Sequence, residues 1–218
     1  GKITVEDIRQ LYRELQEHGR QEEHPQYGYK LAGSTIRRIH GVLHEVLDAA
    51  AQENLIARNP IDGITLPRKK AAPKQVLNNA QLERFMTAIQ EDKVWHDFFY
   101  TELTTGLRRG ELLALQWDDL NLETGELQVT KQVYRTKEDG LLISQPKTKS
   151  SIRTVSLPPP LLAILKEYRE CVNSRWMFPS PVKEDSPLDP AAVRKRLQTV
   201  LERAEYNRLH FHGLRHTF

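Results

Sequence analysis

A short basic stretch with a proline near each end constrains the fold of this chain more than any other feature. Residues 67–74 read PRKKAAPK, with four basic side chains and almost nothing that could be buried. Such a segment cannot contribute to a hydrophobic core, so it is predicted to be a linker. We therefore expect two pieces, residues 1–66 and 75–218. The linker either follows a phosphate backbone or serves as a plain tether.

The first piece is predicted to be helical. Thr4 precedes a helix with apolar residues at helical spacing, from Val5 to Leu15. Ser34 is predicted to cap a second, long helix whose apolar stripe begins at Ile36. The helical region is expected to end at Asn59-Pro60, because the residue before proline avoids the α conformation.

The second piece is predicted to be mainly α with a small antiparallel β-sheet, an α+β fold. Asn78 and Gln81 have the spacing of a capping box, and Asp189-Pro190 is typical of a helix start. Further helices are predicted over residues 95–104, 111–115, 161–168 and 190–205. The alternation of residues 126–134 indicates a strand, and residues 141–144 and 151–157 are predicted to form a hairpin with lysines at its tip.

The composition excludes several classes of protein. Cys171 is the only cysteine, so no internal disulfide and no C-x-x-C zinc motif can form. The eight histidines do not show a metal-ligand spacing, and we expect no structural metal. No apolar run approaches the length needed to cross a membrane. The N-terminus is not a signal peptide, and a reducing cytoplasm is expected.

Positive charge is concentrated in two stretches, although the formal net charge is only +3. Residues 131–153 contain six Lys or Arg against two acids, and residues 194–215 contain six against two. Local basic patches suit a polyanionic partner such as nucleic acid. The alternative is an ordinary solvated surface with its acids placed elsewhere.

Three segments carry candidate chemistry. They are TGLRRGELLAL at residues 105–115, QPKTKSSIRTVSLP at residues 145–158, and HGLR at residues 212–215. The first is predicted to be a glycine turn that leads an arginine into the start of an apolar helix. Each segment alone is weak evidence of a functional site. An arginine after a glycine turn commonly just solvates a helix end, and a lysine at a hairpin tip commonly discourages pairing of exposed strand edges. In this order, however, they resemble the tyrosine recombinase, or phage integrase, family, especially integrases of phages and Gram-positive conjugative transposons. Residues 34–60 similarly resemble the end of that family's SAM-like core-binding domain.

The resemblance implies a phosphodiester-cleaving site. Its two arginines map to Arg108 and Arg215, its histidine to His212 and its hairpin lysine to Lys147. The chemistry agrees, because cleavage places charge on the non-bridging phosphate oxygens, and planar, always-protonated arginines can hold that charge. Lys147 would protonate the leaving 5′ oxygen. Glu111, one helical turn after Arg108, would support it.

Two assignments have close competitors. Arg109 adjoins Arg108, and Lys149 competes with Lys147; the family pattern favours Arg108 and Lys147. The basic residues predicted to contact DNA outside the catalytic set are Lys69, Lys70, Arg109, Lys149, Arg153, Arg194 and Arg196.

The family's nucleophile is a tyrosine several dozen residues beyond H-x-x-R. All seven tyrosines of this chain precede His212, so we expect a chain truncated before its nucleophile, with an incomplete N-terminus as well. The expected domains are therefore core-binding (1–66), linker (67–74) and catalytic (75–218).

The resemblance further implies a site-specific recombinase acting on double-stranded DNA without metal, ATP or another cofactor. It implies a homo-tetramer on two DNA sites, accessory DNA-bending or excision proteins as candidate partners, and a place at the bacterial nucleoid. The alternatives are a DNA-binding relative that does not cleave and, more distantly, a topoisomerase with the same chemistry.

Overall fold

The computed structural model describes residues 3–66, 76–90, 93–136, 138–146, 151–206 and 209–217. The chain folds as two compact units, Gly1–Ala72 and Pro73–Phe218. The predicted linker, residues 67–74, lies outside the described residues.

The first unit contains helices α1 (Val5–His18) and α2 (Gly33–Gln52). The predicted cap of α1 is confirmed: the Asp7 backbone N–H donates to Thr4 Oγ1 at 3.3 Å, and the Thr4 N–H donates to Asp7 Oδ2 at 2.8 Å. A small core of Ile8, Tyr12 and Ile36, together with Ile61 from the following loop, holds the two helices together.

The predicted start of α2 was wrong, and so was the predicted end of the helical region. The helix begins at Gly33, and Ala32 occupies the N-cap position without a side-chain hydrogen bond, so Ser34 lies inside the first turn. The helix also ends at Gln52, well before Asn59. Asn59 is buried instead because it joins a loop to α2: its amide donates to Asp48 Oδ1 at 2.7 Å, and its Oδ1 accepts from the Ile61 N–H at 3.0 Å.

The second unit contains six helices within its described residues: α3 (Asn79–Ile89), α4 (Lys93–Thr105), α5 (Arg109–Leu113), α6 (Pro159–Cys171), α7 (Pro190–Arg203) and α8 (Phe211–Thr217). The predicted capping box of α3 is confirmed, because the Gln81 N–H donates to Asn78 Oδ1 and the Asn78 N–H donates to Gln81 Oε1, both at 2.9 Å. Asp189 caps α7 by accepting from the Ala191 N–H at 2.7 Å, as its position before Pro190 predicted.

Four short strands complete the described part of the second unit: β1 (Glu126–Val129), β2 (Gln132–Arg135), β3 (Leu141–Ser144) and β4 (Arg153–Ser156). They form two antiparallel pairs, β1 with β4 and β2 with β3. The mainly α fold with small antiparallel β structure is thus confirmed. The predicted hairpin between residues 141–144 and 151–157 is wrong, however, because β3 and β4 pair with different partners.

The predicted single strand over residues 126–134 divides at Lys131. The Lys131 ammonium donates to Gln116 Oε1 and Asp119 Oδ1, each at 2.9 Å. These contacts tie the position to the 3₁₀ turn Trp117–Asp119. The chain therefore leaves one ladder before it enters the other.

The core of the second unit centres on α4. Phe98 and Phe99 are fully buried, and Phe98 lies edge-on to Phe178 with ring centroids 5.1 Å apart. The ring of Phe211, at the start of α8, lies 6.1 Å from that of Phe98. Among the described residues, no helix combines the length and apolar character needed to span a bilayer.

Candidate active site

The turn between α4 and α5 delivers Arg108. Gly106 adopts the left-handed conformation (φ +56°) that ends α4, and its N–H donates to the Glu102 carbonyl at 2.8 Å. Leu107 is fully buried, which anchors the turn. Arg108 then occupies the N-cap position of α5 with an exposed side chain. The glycine turn and the buried leucine thus place an arginine directly at a helix start.

Gly110 lets α5 approach β2 closely. A Cβ atom added at this position would lie 2.6 Å from the carbonyl oxygen of Val133. Since no real Cβ atom tolerates that distance to a backbone oxygen, any other residue would push α5 away from β2. Gly110 therefore fixes the position of the helix that carries Arg108.

Glu111 holds two arginines at once. Its carboxylate accepts from Arg108 Nη1 at 2.8 Å and from the Arg108 backbone N–H at 2.9 Å. It also accepts two hydrogen bonds from Arg153 of β4, at 2.8 and 3.2 Å. Glu111 is only 2% exposed. Burial alone would raise its pKa, but the bonds from Arg153 and Arg108 outweigh burial and lower the pKa to about 2.

Helix α8 carries His212 and Arg215. Its apolar side packs into the core through Phe211 and Leu214, and Thr217 Oγ1 accepts from the Leu77 N–H at 3.1 Å. Arg215 Nη1 is buried and has no hydrogen-bond partner among the described residues. His212 is exposed, with its ring 4.6 Å from that of His216. The helix is thus held firmly while its polar side remains available.

Arg108, His212 and Arg215 line one cavity of about 930 Å³. Helix α7 closes another side with Arg194 and Lys195. Among the described residues that line the cavity, the permanent cations are Arg108, Arg109, Arg194, Lys195 and Arg215. Glu102 is the one acidic residue among these described lining residues. Burial, and then the charge of Arg194, lower the pKa of Arg109. Cations crowded closely enough to perturb one another are well suited to an anionic ligand.

Most of the predicted site residues that the structure describes lie in the wall of this one cavity. Arg109 and Arg194 lie in the cavity wall beside Arg108, whereas Arg196 on α7 is not one of its lining residues. Arg153 is engaged by Glu111, a contact that its predicted role at DNA did not include. The predicted lysines lie outside the described residues; they are Lys69, Lys70, Lys147 and Lys149.

Sequence reasoning missed Glu102 and His210, which also line the cavity. Glu102 is fully buried, and neither carboxylate oxygen has a hydrogen-bond partner among the described residues. Burial raises its pKa to about 9, although the charge of Arg215 opposes the shift and that of Glu111 adds to it. The sequence did contain one signal for Glu102: it is an acidic residue within the largely aromatic and apolar helix that precedes Gly106.

One group in the first unit brings together residues able to ligate a metal: His44, Asp48 and Asp62, within the described part of the chain. Spacing along the sequence did not reveal it. His44 Nδ1 faces Asp48 at 2.8 Å, and His44 Nε2 faces Asp62 at 3.2 Å. An imidazole binds a metal ion through only one of its two ring nitrogens. Here each nitrogen of His44 faces a different carboxylate. The group is therefore explained as a histidine that bridges α2 to the following loop.

Known proteins share this fold. The integrase of the Tn1549 transposon, solved in complex with transposon right end DNA, matches with a TM-score of 0.82 and 23% sequence identity, over 99% of this chain and 71% of that one. This similarity shows that the chain has an integrase fold.

Sequence comparison gives the family. The Phage integrase family matches residues 75–218. The ICEBs1 integrase of Bacillus subtilis (strain 168) is 33% identical over 174 residues, which are 78% of this chain and 43% of that protein. A XerC-like tyrosine recombinase of Caldanaerobacter subterraneus is 29% identical over 214 residues, covering 86% of this chain and 54% of that protein. The chain belongs to the phage integrase family. It spans about half the length of these curated relatives.

Proposed function

We propose that this chain is the DNA-binding and phosphate-activating core of a tyrosine-type site-specific recombinase that integrates or excises a mobile element. The observation that carries this proposal is the cavity in which Arg108, His212 and Arg215 meet among further cations. Residues 75–218 form the catalytic domain, and residues 1–66 form a core-binding domain. The family match over residues 75–218 supports the first assignment. The division of the chain into two compact units supports a separate domain before it.

The cavity residues act on the scissile phosphate. Arg108 and Arg215 donate to its two non-bridging oxygens, whose charge grows in the pentavalent transition state. His212 is a third donor. Glu111 occupies one nitrogen of Arg108, at 2.8 Å, and so limits the orientations of the guanidinium. Preorganised donors need little rearrangement when the charge develops, and this is why they accelerate the reaction.

Two groups complete the reaction. Lys147 protonates the leaving 5′ oxygen. The resemblance assigns the nucleophile to a tyrosine that follows the H-x-x-R motif in the family pattern. This tyrosine forms the 3′-phosphotyrosine intermediate. The energy of the broken phosphodiester bond is kept in this linkage, so rejoining requires no ATP.

Duplex DNA is the proposed partner. The related Tn1549 integrase was solved on transposon DNA, and the described lining of the cavity in this chain includes five permanent cations. By the same resemblance, the active assembly is a tetramer on two DNA sites at the nucleoid, assisted by DNA-bending or excision proteins.

Cleavage by the protein encoded by the complete gene tests this proposal. Arg108→Ala and Arg215→Ala should each reduce formation of the covalent protein–DNA adduct by about 10²–10³, the usual cost of one preorganised donor. Affinity for a long duplex should change little, because many other phosphates are still held. Lys166→Ala, at an exposed lysine of α6 outside the cavity, is the matched control.

The outcomes separate an enzyme from a binder. Chelation of divalent ions should leave adduct formation unchanged. Tight DNA binding by the wild-type protein without any adduct would show a DNA-binding relative that does not cleave. A divalent-ion requirement at the chemical step would contradict the assigned site.

A further inference from the structure

Glu102 lies in the wall of the proposed phosphate cavity, and the mechanism above gives it no role. It is on α4, shortly before Arg108, and its backbone carbonyl accepts the Gly106 hydrogen bond that ends the helix. Its side chain is fully buried. The same turn that delivers Arg108 therefore also fixes this carboxyl group in the cavity wall.

Two residues that line the cavity carry complementary polar atoms that are buried without partners. Both carboxyl oxygens of Glu102 and Nη1 of Arg215 are buried, and none of the three has a hydrogen-bond partner among the described residues. A guanidinium that clamps a phosphate uses two of its five N–H groups. The remaining buried N–H groups require an acceptor, because an unsatisfied buried donor is costly. Within the described lining of the cavity, Glu102 is the acidic side chain.

We propose that Glu102 is a positioning residue for Arg215 and that it acts as an uncharged hydrogen-bond acceptor. The contact forms when Arg215 engages the phosphate: Glu102 then accepts a hydrogen bond from the inner edge of the guanidinium, and the outer edge faces the scissile phosphate. This inference rests on the proposed function and adds a residue to its site.

The uncharged form follows from the surroundings of the carboxyl group. Burial raises the pKa of Glu102 to about 9, and the positive charge of Arg215 only partly opposes this effect. A carboxylate here would also repel the phosphate that the cavity is proposed to bind. A protonated carboxyl group accepts a hydrogen bond and leaves the positive charge of the cavity undiminished.

Charged and titratable groups reach this region from three helices and one loop. They are Arg108 at the N-cap of α5, Arg109 and Glu111 on α5, Arg194 and Lys195 on α7, His212 and Arg215 on α8, and His210 before α8. Helices α3 and α6 also pack on α4: α3 contributes the apolar ring of Phe85, and α6 contributes Tyr168, which interacts with Asp97. The Arg215 charge favours ionisation of Glu102, and the Glu111 charge opposes it.

Two substitutions distinguish an acceptor from a charge. Glu102→Gln keeps the side-chain size and an acceptor oxygen but is uncharged at every pH. Glu102→Leu keeps a similar side-chain volume and removes the acceptor. In single-turnover cleavage by the protein from the complete gene at about pH 7, the Gln variant should stay within about threefold of wild type. The cleavage rate of the Leu variant should fall by about 10–100-fold, with unchanged DNA affinity. This loss is smaller than the usual loss on removing a donor itself, because Arg215 is still present but less well oriented. Glu167→Gln, at an exposed glutamate of α6, is the control.

The pH dependence gives a second readout. Wild-type cleavage should fall as the pH rises through about 9, where Glu102 ionises, and the Gln variant should lack that step. Because the folded pKa is raised, the stability that Glu102 contributes is complete below about pH 4.5 and is lost as the pH rises to about 9. The melting temperature of the 218-residue chain carrying Gln should therefore rise relative to wild type between about pH 5 and 9. This measurement needs no cleavage activity.

Each alternative result overturns a defined part of the proposal. A Gln variant as defective as the Leu variant would mean that the ionised carboxylate is required, and a Leu variant that cleaves like wild type would remove the positioning role. A melting difference independent of pH would refute the uncharged form. If the wild-type protein forms no adduct, the proposed function fails and this inference fails with it.

Discussion

Glu111→Gln removes the negative charge that holds two arginine side chains beside the cavity and changes the side-chain volume very little. In the wild type, Arg153 donates two hydrogen bonds to Glu111, and Arg108 donates through both its side chain and its backbone. A glutamine amide has only one acceptor oxygen, and its NH₂ group would face a guanidinium. The variant therefore weakens the link between α5 and β4.

The size of the effect follows from the pKa of Glu111. Its value is lowered from 4.5 to about 2 in the folded protein. Each tenfold change in proton affinity corresponds to about 1.4 kcal/mol, so ionised Glu111 should contribute about 3 kcal/mol to the free energy of unfolding at pH 7. Because the folded pKa is depressed, this contribution is present above pH 4.5 and is lost as the pH falls towards 2. At pH 3 about 1 kcal/mol should remain.

Tryptophan fluorescence during urea unfolding measures this effect in the relevant unit. The three tryptophans, Trp95, Trp117 and Trp176, all belong to the second unit. The difference between wild type and Glu111→Gln should be about 3 kcal/mol at pH 7 and should shrink to about 1 kcal/mol at pH 3. Taking the difference at each pH cancels the titration of the other carboxylates.

Glu167→Gln is the control for the loss of a glutamate charge, because Glu167 is exposed on α6. It should change the free energy of unfolding by less than about 0.5 kcal/mol at either pH. An equal destabilisation by Glu111→Gln at pH 7 and pH 3 would refute the reasoning, because the loss would then come from packing rather than from the carboxylate.

Three further predictions follow from the site and its supports. Gly110→Ala should lower the melting temperature of the second unit, at a cost of about 1–3 kcal/mol, because its Cβ would meet the Val133 carbonyl. The control is Gly41→Ala in the open interior of α2, which should instead stabilise the first unit by about 1 kcal/mol. In calorimetry, a higher melting temperature with Gly110→Ala would contradict the close contact, and a lower one with Gly41→Ala would contradict the open position. The affinity of the chain for duplex DNA should fall with salt at a log–log slope of about −0.9 per neutralised phosphate; a flat salt titration argues against phosphate contacts. A 5′-bridging sulfur substrate, which leaves without a proton, should rescue cleavage by Lys147→Ala in the protein from the complete gene, whereas rescue of Lys149→Ala alone would transfer the general-acid role to that lysine.

Local features of the sequence predicted local structure well. Thr4 with Asp7 and Asn78 with Gln81 form the capping boxes or caps expected of them, because both partners lie within one helical turn. The strand over residues 141–144 has the predicted bounds. The box at residues 105–115 also indicated an arginine that a glycine turn presents at the start of a helix, as the structure shows for Gly106 and Arg108.

Strand pairing could not be obtained in this way. Residues 126–134 alternate as one strand, yet contacts from the Lys131 ammonium to a distant turn divide them between two ladders. The same alternation is compatible with either partner strand, because pleating places residues on faces without specifying the neighbour. The predicted hairpin was wrong for this reason.

The helix starts at Thr4, Asn78 and Asp189, the mainly α fold and, through three ordered motifs, the family could be predicted from the residues alone. The charges that meet in the folded chain could not be predicted in this way. Arg153 reaches Glu111 across 42 residues, and Glu102 becomes a buried acid in a cavity of cations. Burial and Coulomb interactions depend on distances in space, which packing around Phe98 and Leu214 sets. Caps and turns depend instead on neighbours along the chain, and these can be read from the sequence.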